Sequence, residues 1–476
     1  MTYSGAPAGV ASATTPRGAN AAPRPLLGAI DVVSLVLGIV VGAGIFSVPA
    51  VVAANADGGG AVMLAWLAGG ALSLAGAMCY AELATAHPHS GGEYHFLRLA
   101  FGKRIGFLFA WARLTVIPTG SIALLAFVFG DYASQLLPLG RWSSSVYAAL
   151  VIAVLTAINA LGLRSGKRTQ NLLTALQIGS VTAIIVAGLL LSPSAPEAMP
   201  TLAPVAESTR WGLVMIFVML AYGGWNEAAY VSAEVVGPGR TLPRALACSI
   251  VLVTALYLLM NLAYLRVLGT AGMAGSDAVA ASMMERVLGG TGAGLISAVV
   301  AVAALTSANA TILMAARTTY AFGRAAPMFS WLGRWHPRRD APVNALLAQA
   351  TIALALVALG AMTRQGFVTM VEYTAPVFWL FFLLTGLALF RLRGRAPAVA
   401  APFRVPLYPL TPLLFCAMCA YLLYASLRHT GIGALLGVGV LAVGGVVLLL
   451  GGHRAVPPSA TAFRAHPIPP TPGDRP

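Results

Sequence analysis

Long apolar runs occupy most of this sequence and limit what it can fold into. Each run has roughly 20 residues, the length of helix that crosses the hydrocarbon core of a bilayer, whereas barrel strands alternate over about ten residues. The sequence therefore predicts an all-α membrane protein with 12 transmembrane helices and no soluble domain. The twelve runs begin near Gly28, Gly60, Arg104, Ser143, Gln170, Trp211, Pro243, Gly294, Asn344, Met370, Pro406 and Gly431.

Charge is scarce, and its distribution indicates topology rather than a nucleic-acid partner. Only 9% of the 476 residues are charged, against about 25% in a soluble domain. The net charge of +15 collects in alternate loops, for example at Arg164, Lys167 and Arg168 and again at Arg338 and Arg339. An excess of Lys and Arg is typical of cytoplasmic loops. We therefore expect both termini in the cytoplasm, anionic lipid headgroups beside the basic loops, and no nucleic-acid partner.

The two ends of the chain differ from its core. Residues 1–26 are rich in Ala, Pro and Gly and lack the apolar segment of a signal peptide, and residues 453–476 are rich in Pro. We predict a disordered cytoplasmic segment at each end and a membrane core over residues 27–452. Cys416 and Cys419 have CxxC spacing inside an apolar run but no nearby His or acid, so no metal site or cofactor is predicted.

Two of the runs contain glycine clusters that are unsuited to a continuous helix. Residues 42–44 (Gly-Ala-Gly) lie in the first run and are followed by Pro49, and residues 223–224 (Gly-Gly) lie in the sixth run. Each Gly costs about 1 kcal/mol relative to Ala inside a helix, and a proline lacks a backbone donor. We therefore predict a break in both spans. The alternative interpretation is that these glycines allow close helix packing.

The two breaks occupy corresponding places, which points to a binding site. Each opens a block of five spans, and an odd number of spans inverts the second block relative to the first. Interrupted helices at matching positions of inverted repeats are the best sequence indication of a transporter site. Backbone groups freed there can hold a carboxylate and an ammonium, which a zwitterionic amino acid presents together. We predict a first repeat over residues 27–192, a second over 211–392, and two added helices over 405–452.

Five segments, spread from the first run to the eleventh, resemble one known family. They are residues 38–46, 90–94, 222–226, 307–309 and 402–409. In this order they resemble the amino acid–polyamine–organocation (APC) superfamily, most closely its L-type amino acid transporter branch. The resemblance implies a LeuT-type 5+5 inverted repeat with discontinuous helices 1 and 6, and secondary active transport of amino acids by alternating access. It also implies that the substrate binds at Ile39, Val40, Gly42, Ala43, Gly44, Leu220, Ala221, Tyr222, Gly223, Gly224, Trp225 and Asn226.

Two positions depart from the pattern of this family. Leu220 stands where many relatives carry an aromatic gate, which implies looser occlusion or a bulkier substrate side chain. Gln177 stands in the fifth span, where relatives carry a Lys whose ammonium replaces a sodium ion and takes part in proton coupling. Because Gln does not titrate, proton coupling stays open.

Four polar side chains within the spans are candidates for coupling or gating, and each has a structural alternative. Glu227 could bind a cationic group, carry a proton or form a structural ion pair. Arg113 could pair with Glu82 or with Glu227. Ser307 and Asn309 lie where LeuT-type proteins place a sodium ion, although such residues also bond across membrane helices.

The sequence favours an amino acid permease of the inner or plasma membrane over three other classes. A polyamine or other organic-cation permease of the same fold would need more acids at the site than Glu227. A proton-conducting subunit would show chains of mid-membrane Lys, His and Glu, and an enzyme would show a nucleophile–base or metal constellation. The substrate side chain, the coupling ion, the choice between uniport, symport and exchange, and the oligomeric state stay open.

Overall fold

The structure, a computed structural model, describes residues 27–451 with a few gaps, so the predicted disordered ends lie outside it. The gaps are positions 43, 90, 162, 192–207, 277, 337–338, 340, 364–365, 396–401 and 430–431. The α-helices are α1 Ala29–Val40, α2 Gly44–Ala54, α3 Gly59–Ala86, α4 Gly92–Phe101, α5 Lys103–Thr115, α6 Ile117–Leu136, α7 Ser143–Leu161, α8 Leu163–Leu190, α9 Trp211–Ala221, α10 Pro238–Ala274, α11 Val279–Leu288, α12 Gly290–Ala325, α13 Val343–Thr363, α14 Gly366–Arg395, α15 Leu410–His429 and α16 Ile432–Gly451. The 3-10 helices are Trp225–Glu234 and Pro327–Phe329.

The helices include enough long apolar segments for a multi-pass membrane protein. Over the described residues, 11 spans are long and apolar enough to cross a bilayer, and a bent pair adds a twelfth. The bent pair is α1 and α2, whose axes meet at 50°. α5 and α6 share the span Lys103–Ser134, and α9 continues through the first 3-10 helix in the span Trp211–Glu234. The prediction of an all-α, multi-pass membrane protein is thus confirmed, and its twelve spans are matched when the bent pair counts as one.

The outer surface of the bundle is apolar, whereas polar side chains bond between helices. Leu150, Leu435 and Leu449 are all more than half exposed, which is stable only where the surrounding medium is itself apolar. Inside the bundle, the amide of Asn159 in α7 donates to the side-chain oxygen of Asn309 in α12 at 2.8 Å. This arrangement is typical of membrane bundles, where polar side chains join neighbouring helices.

A short backbone bridge joins the two broken spans at one end. Leu27, just before α1, donates its N–H to the carbonyl of Glu234 at 2.9 Å and accepts from the N–H of Val236 at 3.0 Å. Glu234 ends the first 3-10 helix. The beginning of the first broken span is therefore fixed to the end of the second.

Candidate substrate-binding site

The first break leaves non-helical backbone between α1 and α2. α1 ends at Val40 and α2 begins at Gly44, and the predicted site residue Ala43 lies outside the described residues. A Cβ atom on Gly44 would lie only 3.1 Å from the Cα atom of Ala221, the last residue of α9. Glycine at this position therefore lets the first broken span approach the second.

The second break has a left-handed glycine followed by an irregular helix. Gly224 has a φ of +114°, a conformation that residues with a Cβ atom rarely adopt. A Cβ atom there would also lie 2.5 Å from Cγ2 of Ile39 in α1. The chain then continues as a ten-residue 3-10 helix, although such helices seldom exceed about four residues and often mark a hinge. Nothing in the sequence pattern indicated the 3-10 form.

One hydroxyl group contacts the carbonyl groups at both breaks. Tyr257, in α10, donates to the carbonyl oxygen of Val40 at 2.7 Å and lies 3.0 Å from that of Ala221. The oxygen of Val40 also accepts from the N–H of Gly42 at 2.7 Å, so both of its lone pairs are used. Tyr257 could not be predicted from the sequence, because a tyrosine within an apolar run resembles any buried aromatic side chain.

A cavity lies between the two breaks. Its volume is about 170 Å³, more than ten times the roughly 10–15 Å³ that one water molecule needs. Leu124 and Leu125 of α6 and Phe378 and Trp379 of α14 form an apolar part of its wall. The predicted residues that line it are Ile39, Val40, Gly42, Gly44, Arg113, Leu220, Ala221, Gly223, Gly224, Asn226, Glu227 and Ser307.

Among the described residues predicted to bind the substrate, Tyr222 and Trp225 are not part of this lining. Tyr222 donates its hydroxyl to the carbonyl of Trp66 in α3 at 2.9 Å. The ring of Trp225 packs edge-on against Tyr80, with ring centroids 5.1 Å apart. Both side chains therefore attach the second break to α3, and their direct contact with a substrate stays a prediction.

The residues considered for ion coupling differ in their access to the cavity. Ser307 lies beside Gly42, and its hydroxyl has no hydrogen-bond partner among the described residues. Asn309 is bonded to Asn159, and Gln177 is buried with no hydrogen-bond partner for its amide nitrogen or oxygen in the described part of the chain. In the part of the chain that the structure describes, no group of three or more His, Cys, Asp or Glu side chains could hold a metal ion. Ser307 is thus the member of this set that a molecule in the cavity could contact.

The buried arginine has a definite partner. Nη1 and Nη2 of Arg113 donate to the two carboxylate oxygens of Glu227 at 2.6 and 3.1 Å. The guanidinium carbon also lies 4.6 Å from the centroid of the Tyr230 ring. The other candidate acid, Glu82, instead accepts from the N–H of Val405 at 2.6 Å and lies 3.5 Å from Arg393. The ion pair that the sequence left undecided is therefore the Arg113–Glu227 pair.

A second buried acid, Glu93, is linked to this pair through Tyr230. Glu93, in α4 between the membrane spans, accepts from the hydroxyl of Tyr80 and, at 2.9 Å, from that of Tyr230. Burial raises the pKa of its carboxyl, although the charge of Arg113 opposes that shift. Glu93 lies in the segment 90–94, which resembles the family pattern, but no role for it was predicted. The role of this position is visible only once the tyrosines that surround it, Tyr80 and Tyr230, are placed.

Comparisons with known proteins give one consistent answer. A family model described as amino acid permease matches residues 27–443. The chain is 32% identical to human b(0,+)-type amino acid transporter 1 over 408 residues, which cover 84% of this chain and 82% of that protein. It is 29% identical to mouse large neutral amino acids transporter small subunit 2 over 450 residues, which cover 91% and 82%. The similarity thus extends over both helix breaks and nearly all of the spans.

Proposed function

The chain belongs to the amino acid permease family, and we propose that it carries amino acids across a cell membrane by alternating access. The observation that supports this proposal most directly is the cavity, because it combines backbone from both breaks with an apolar wall. Backbone groups suit the part that all amino acids share, and the apolar wall is left for the side chain. The relatives, whose names describe amino acid transporters, favour the same class of substrate.

We assign the substrate carboxylate to the first break. α2 begins at Gly44, which lines the cavity together with Gly42. The first N–H groups of a helix lack partners within it, and the helix dipole places positive charge at that end. An anionic group in the cavity would be stabilised there by backbone alone.

We assign the substrate ammonium mainly to the second break. The Val40 oxygen at the first break already accepts two hydrogen bonds. At the second break, the Leu220 oxygen accepts from the N–H of Gly223 at 3.0 Å, and the Ala221 oxygen shares the Tyr257 hydroxyl with Val40. The Leu220 oxygen also accepts from the N–H of Tyr222, whereas the Ala221 oxygen keeps a lone pair for a further donor. The ammonium contacts expected at the first break thus shift toward Ala221.

The two breaks would then open the two halves of a LeuT-type 5+5 inverted repeat, residues 27–192 and 211–392. With both termini in the cytoplasm, the backbone bridge at Leu27 lies on the cytoplasmic side. The bridge ties the first half of one broken span to the second half of the other. Access from the cytoplasm would require these two hydrogen bonds to separate.

Two earlier alternatives lose their main support. A polyamine permease needs a free acid in the cavity, but Glu227 is engaged by Arg113. For the same reason, a proton could reach Glu227 only after the pair opens. We therefore assign Glu227 to the selection of substrate rather than to proton transfer.

Counterflow in proteoliposomes tests the proposal. Vesicles containing the full chain and preloaded with unlabelled amino acids should accumulate labelled substrate, with leucine as the first choice because the cavity wall is apolar. A thermal-shift screen of the twenty amino acids and of common polyamines should identify stabilising amino acids first. A folded preparation that neither binds nor transports any amino acid would contradict the proposal.

A further inference from the structure

Two charges in the cavity wall neutralise each other. Among the described residues that line the cavity, the charged side chains are Arg113 and Glu227. Their side chains are only 6% and 16% exposed, and the guanidinium contacts both carboxylate oxygens. A bidentate pair of this kind fixes both groups in one orientation. The wall therefore presents no net charge to a molecule in the cavity.

Neither Arg113 nor Glu227 can bind a charged group of a ligand without giving up its ion pair with the other. The guanidinium of Arg113 lies over the Tyr230 ring, so its face is already occupied by a cation–π contact. A substrate carboxylate would have to displace Glu227, and a substrate ammonium would have to draw Glu227 away from Arg113. Each exchange leaves one buried ion unpaired, which is strongly unfavourable in an apolar site.

The other buried acids do not alter this balance. Glu93 does not line the cavity, and its carboxyl is bonded to Tyr80 and Tyr230. Burial raises its pKa, which disfavours a second negative charge close to the pair. Glu82 is engaged by Arg393 at 3.5 Å.

The rest of the wall suits an uncharged side chain. Leu124, Leu125, Met314, Phe378 and Trp379 supply apolar surface from α6, α12 and α14. Hydroxyl oxygens on the same helices add neutral hydrogen-bond acceptors at Ser121, Thr311 and Thr374, whose protons are donated to carbonyls of their own helices.

We propose that the Arg113–Glu227 pair is a charge filter, which admits amino acids with uncharged side chains and rejects side chains of either charge. The filter rests on the proposed function and adds to it the substrate class and the residues that select it. It also specifies how selectivity changes when the pair is broken. Arg113→Gln leaves a carboxylate that favours a cationic side chain, and Glu227→Gln leaves a guanidinium that favours an anionic one. The double variant, with no charge at either position, returns to uncharged side chains.

Matched pairs of substrates test the filter in the wild-type chain. Uptake into proteoliposomes is measured for norleucine and lysine, which differ by one ammonium group, and for glutamine and glutamate. We expect norleucine to exceed lysine, and glutamine to exceed glutamate, by at least about tenfold, because a charged side chain would be buried without a partner. Wild-type protein that takes up lysine as well as norleucine overturns the filter.

Variants then test whether the pair causes the selectivity. In Arg113→Gln the lysine-to-norleucine ratio should rise at least about tenfold, and in Glu227→Gln the glutamate-to-glutamine ratio should rise similarly. Arg393→Gln, which removes an arginine paired with Glu82 away from the cavity, should leave both ratios unchanged. The double variant removes the unpaired charge that could prevent a single variant from folding, and it should show the wild-type ratios.

The outcomes separate this inference from the proposed function. Wild-type uptake of norleucine with unchanged ratios in both single variants overturns the filter alone. A double variant that favours charged side chains also overturns it. A folded wild-type chain that takes up none of the four amino acids overturns the proposed function, and the filter with it.

Discussion

The two helix breaks interrupt their spans in different ways. The first break lies between two regular α-helices, and among its described residues Gly42 and Gly44 offer only backbone to the cavity, with the hydroxyl of Ser307 beside Gly42. The second break has the left-handed Gly224 and continues as a 3-10 helix that carries Glu227 into the cavity wall. The side chains of Trp225 and Tyr230 attach this helix to α3, α4 and α5.

This difference indicates a division of tasks. Backbone at the first break can bind the carboxylate that every amino acid shares, and it cannot distinguish one side chain from another. The second break carries the charged pair, and through Glu234 it reaches the backbone bridge to Leu27. We therefore expect changes at the second break to affect selectivity and stability more than comparable changes at the first.

The largest expected effect comes from breaking the charged pair. Arg113→Met leaves the buried carboxylate of Glu227 without its partner, and losing one member of such a pair costs about 3–5 kcal/mol. The melting temperature of the purified protein should fall strongly, and Arg113→Met/Glu227→Gln should recover most of the loss. A single variant as stable as wild type would show that the second break does not depend on this pair. Arg393→Met is the control, and a smaller fall is expected because this arginine lies 3.5 Å from Glu82, whose carboxylate keeps the hydrogen bond from the N–H of Val405.

Adding one methyl group to each break compares them directly. Gly224→Ala meets both a left-handed φ and Ile39 at 2.5 Å, so strain of about 1–2 kcal/mol adds to overpacking of about 1–3 kcal/mol. Gly44→Ala meets Ala221 at 3.1 Å without a positive φ, so the expected loss of uptake and of stability is smaller.

Gly269→Ala is the matched control for this comparison. Gly269 also has a positive φ, +67°, but a Cβ atom there would meet nothing within 4 Å. Its variant should show the backbone strain without the collision at the cavity. Equal losses of uptake in Gly269→Ala and Gly224→Ala would show that the contact with Ile39 has no role in the site.

A smaller effect is expected where one hydroxyl joins the two breaks. Tyr257→Phe removes the donor to Val40 and Ala221, and a lost hydrogen bond typically reduces stability by about 0.5–1.5 kcal/mol. Uptake of leucine should fall by up to about tenfold, the equivalent of 1.4 kcal/mol. Tyr264→Phe is the matched control, because Tyr264 is buried in the same helix and its hydroxyl has no hydrogen-bond partner within the residues that the structure describes. Identical behaviour of the two variants would remove Tyr257 from the site.

The smallest effect is expected for Glu93, the buried acid close to the Arg113–Glu227 pair. Because burial raises the pKa of Glu93 in the folded protein, the unfolded chain loses this proton first as the pH rises past about 4.3. The wild type therefore loses stability over the window between the two pKa values as the pH rises. Glu93→Gln does not titrate, so its melting temperature relative to wild type should increase from pH 5 to pH 8. A relative decrease over this range would show that Glu93 is stabilised as an anion.

The apolar runs were sufficient to predict a multi-pass helical membrane protein, and the glycine clusters at residues 42–44 and 223–224 lie just beyond the ends of α1 and α9. Apolar length and glycine content act locally, so they can be recognised without knowing which helices meet. The partner of Arg113 could not be predicted in this way, because Glu227 is 114 positions away and Glu82 satisfied the same chemical requirement. Tyr257 and Glu93 were missed for the same reason, since their roles depend on groups that distant segments bring to them. The 3-10 form of the second broken span also depends on its surroundings, which local preferences do not contain.

The central claim is that backbone from both breaks binds the two charged groups of one amino acid. It is tested most directly by competition with labelled leucine uptake, using 3-methylbutylamine, which lacks the carboxylate, and 4-methylpentanoic acid, which lacks the amine. A site built to hydrogen-bond both groups should bind each analogue at least about a hundredfold more weakly than leucine. Inhibition by either analogue at the concentration at which leucine inhibits would contradict the two-break site.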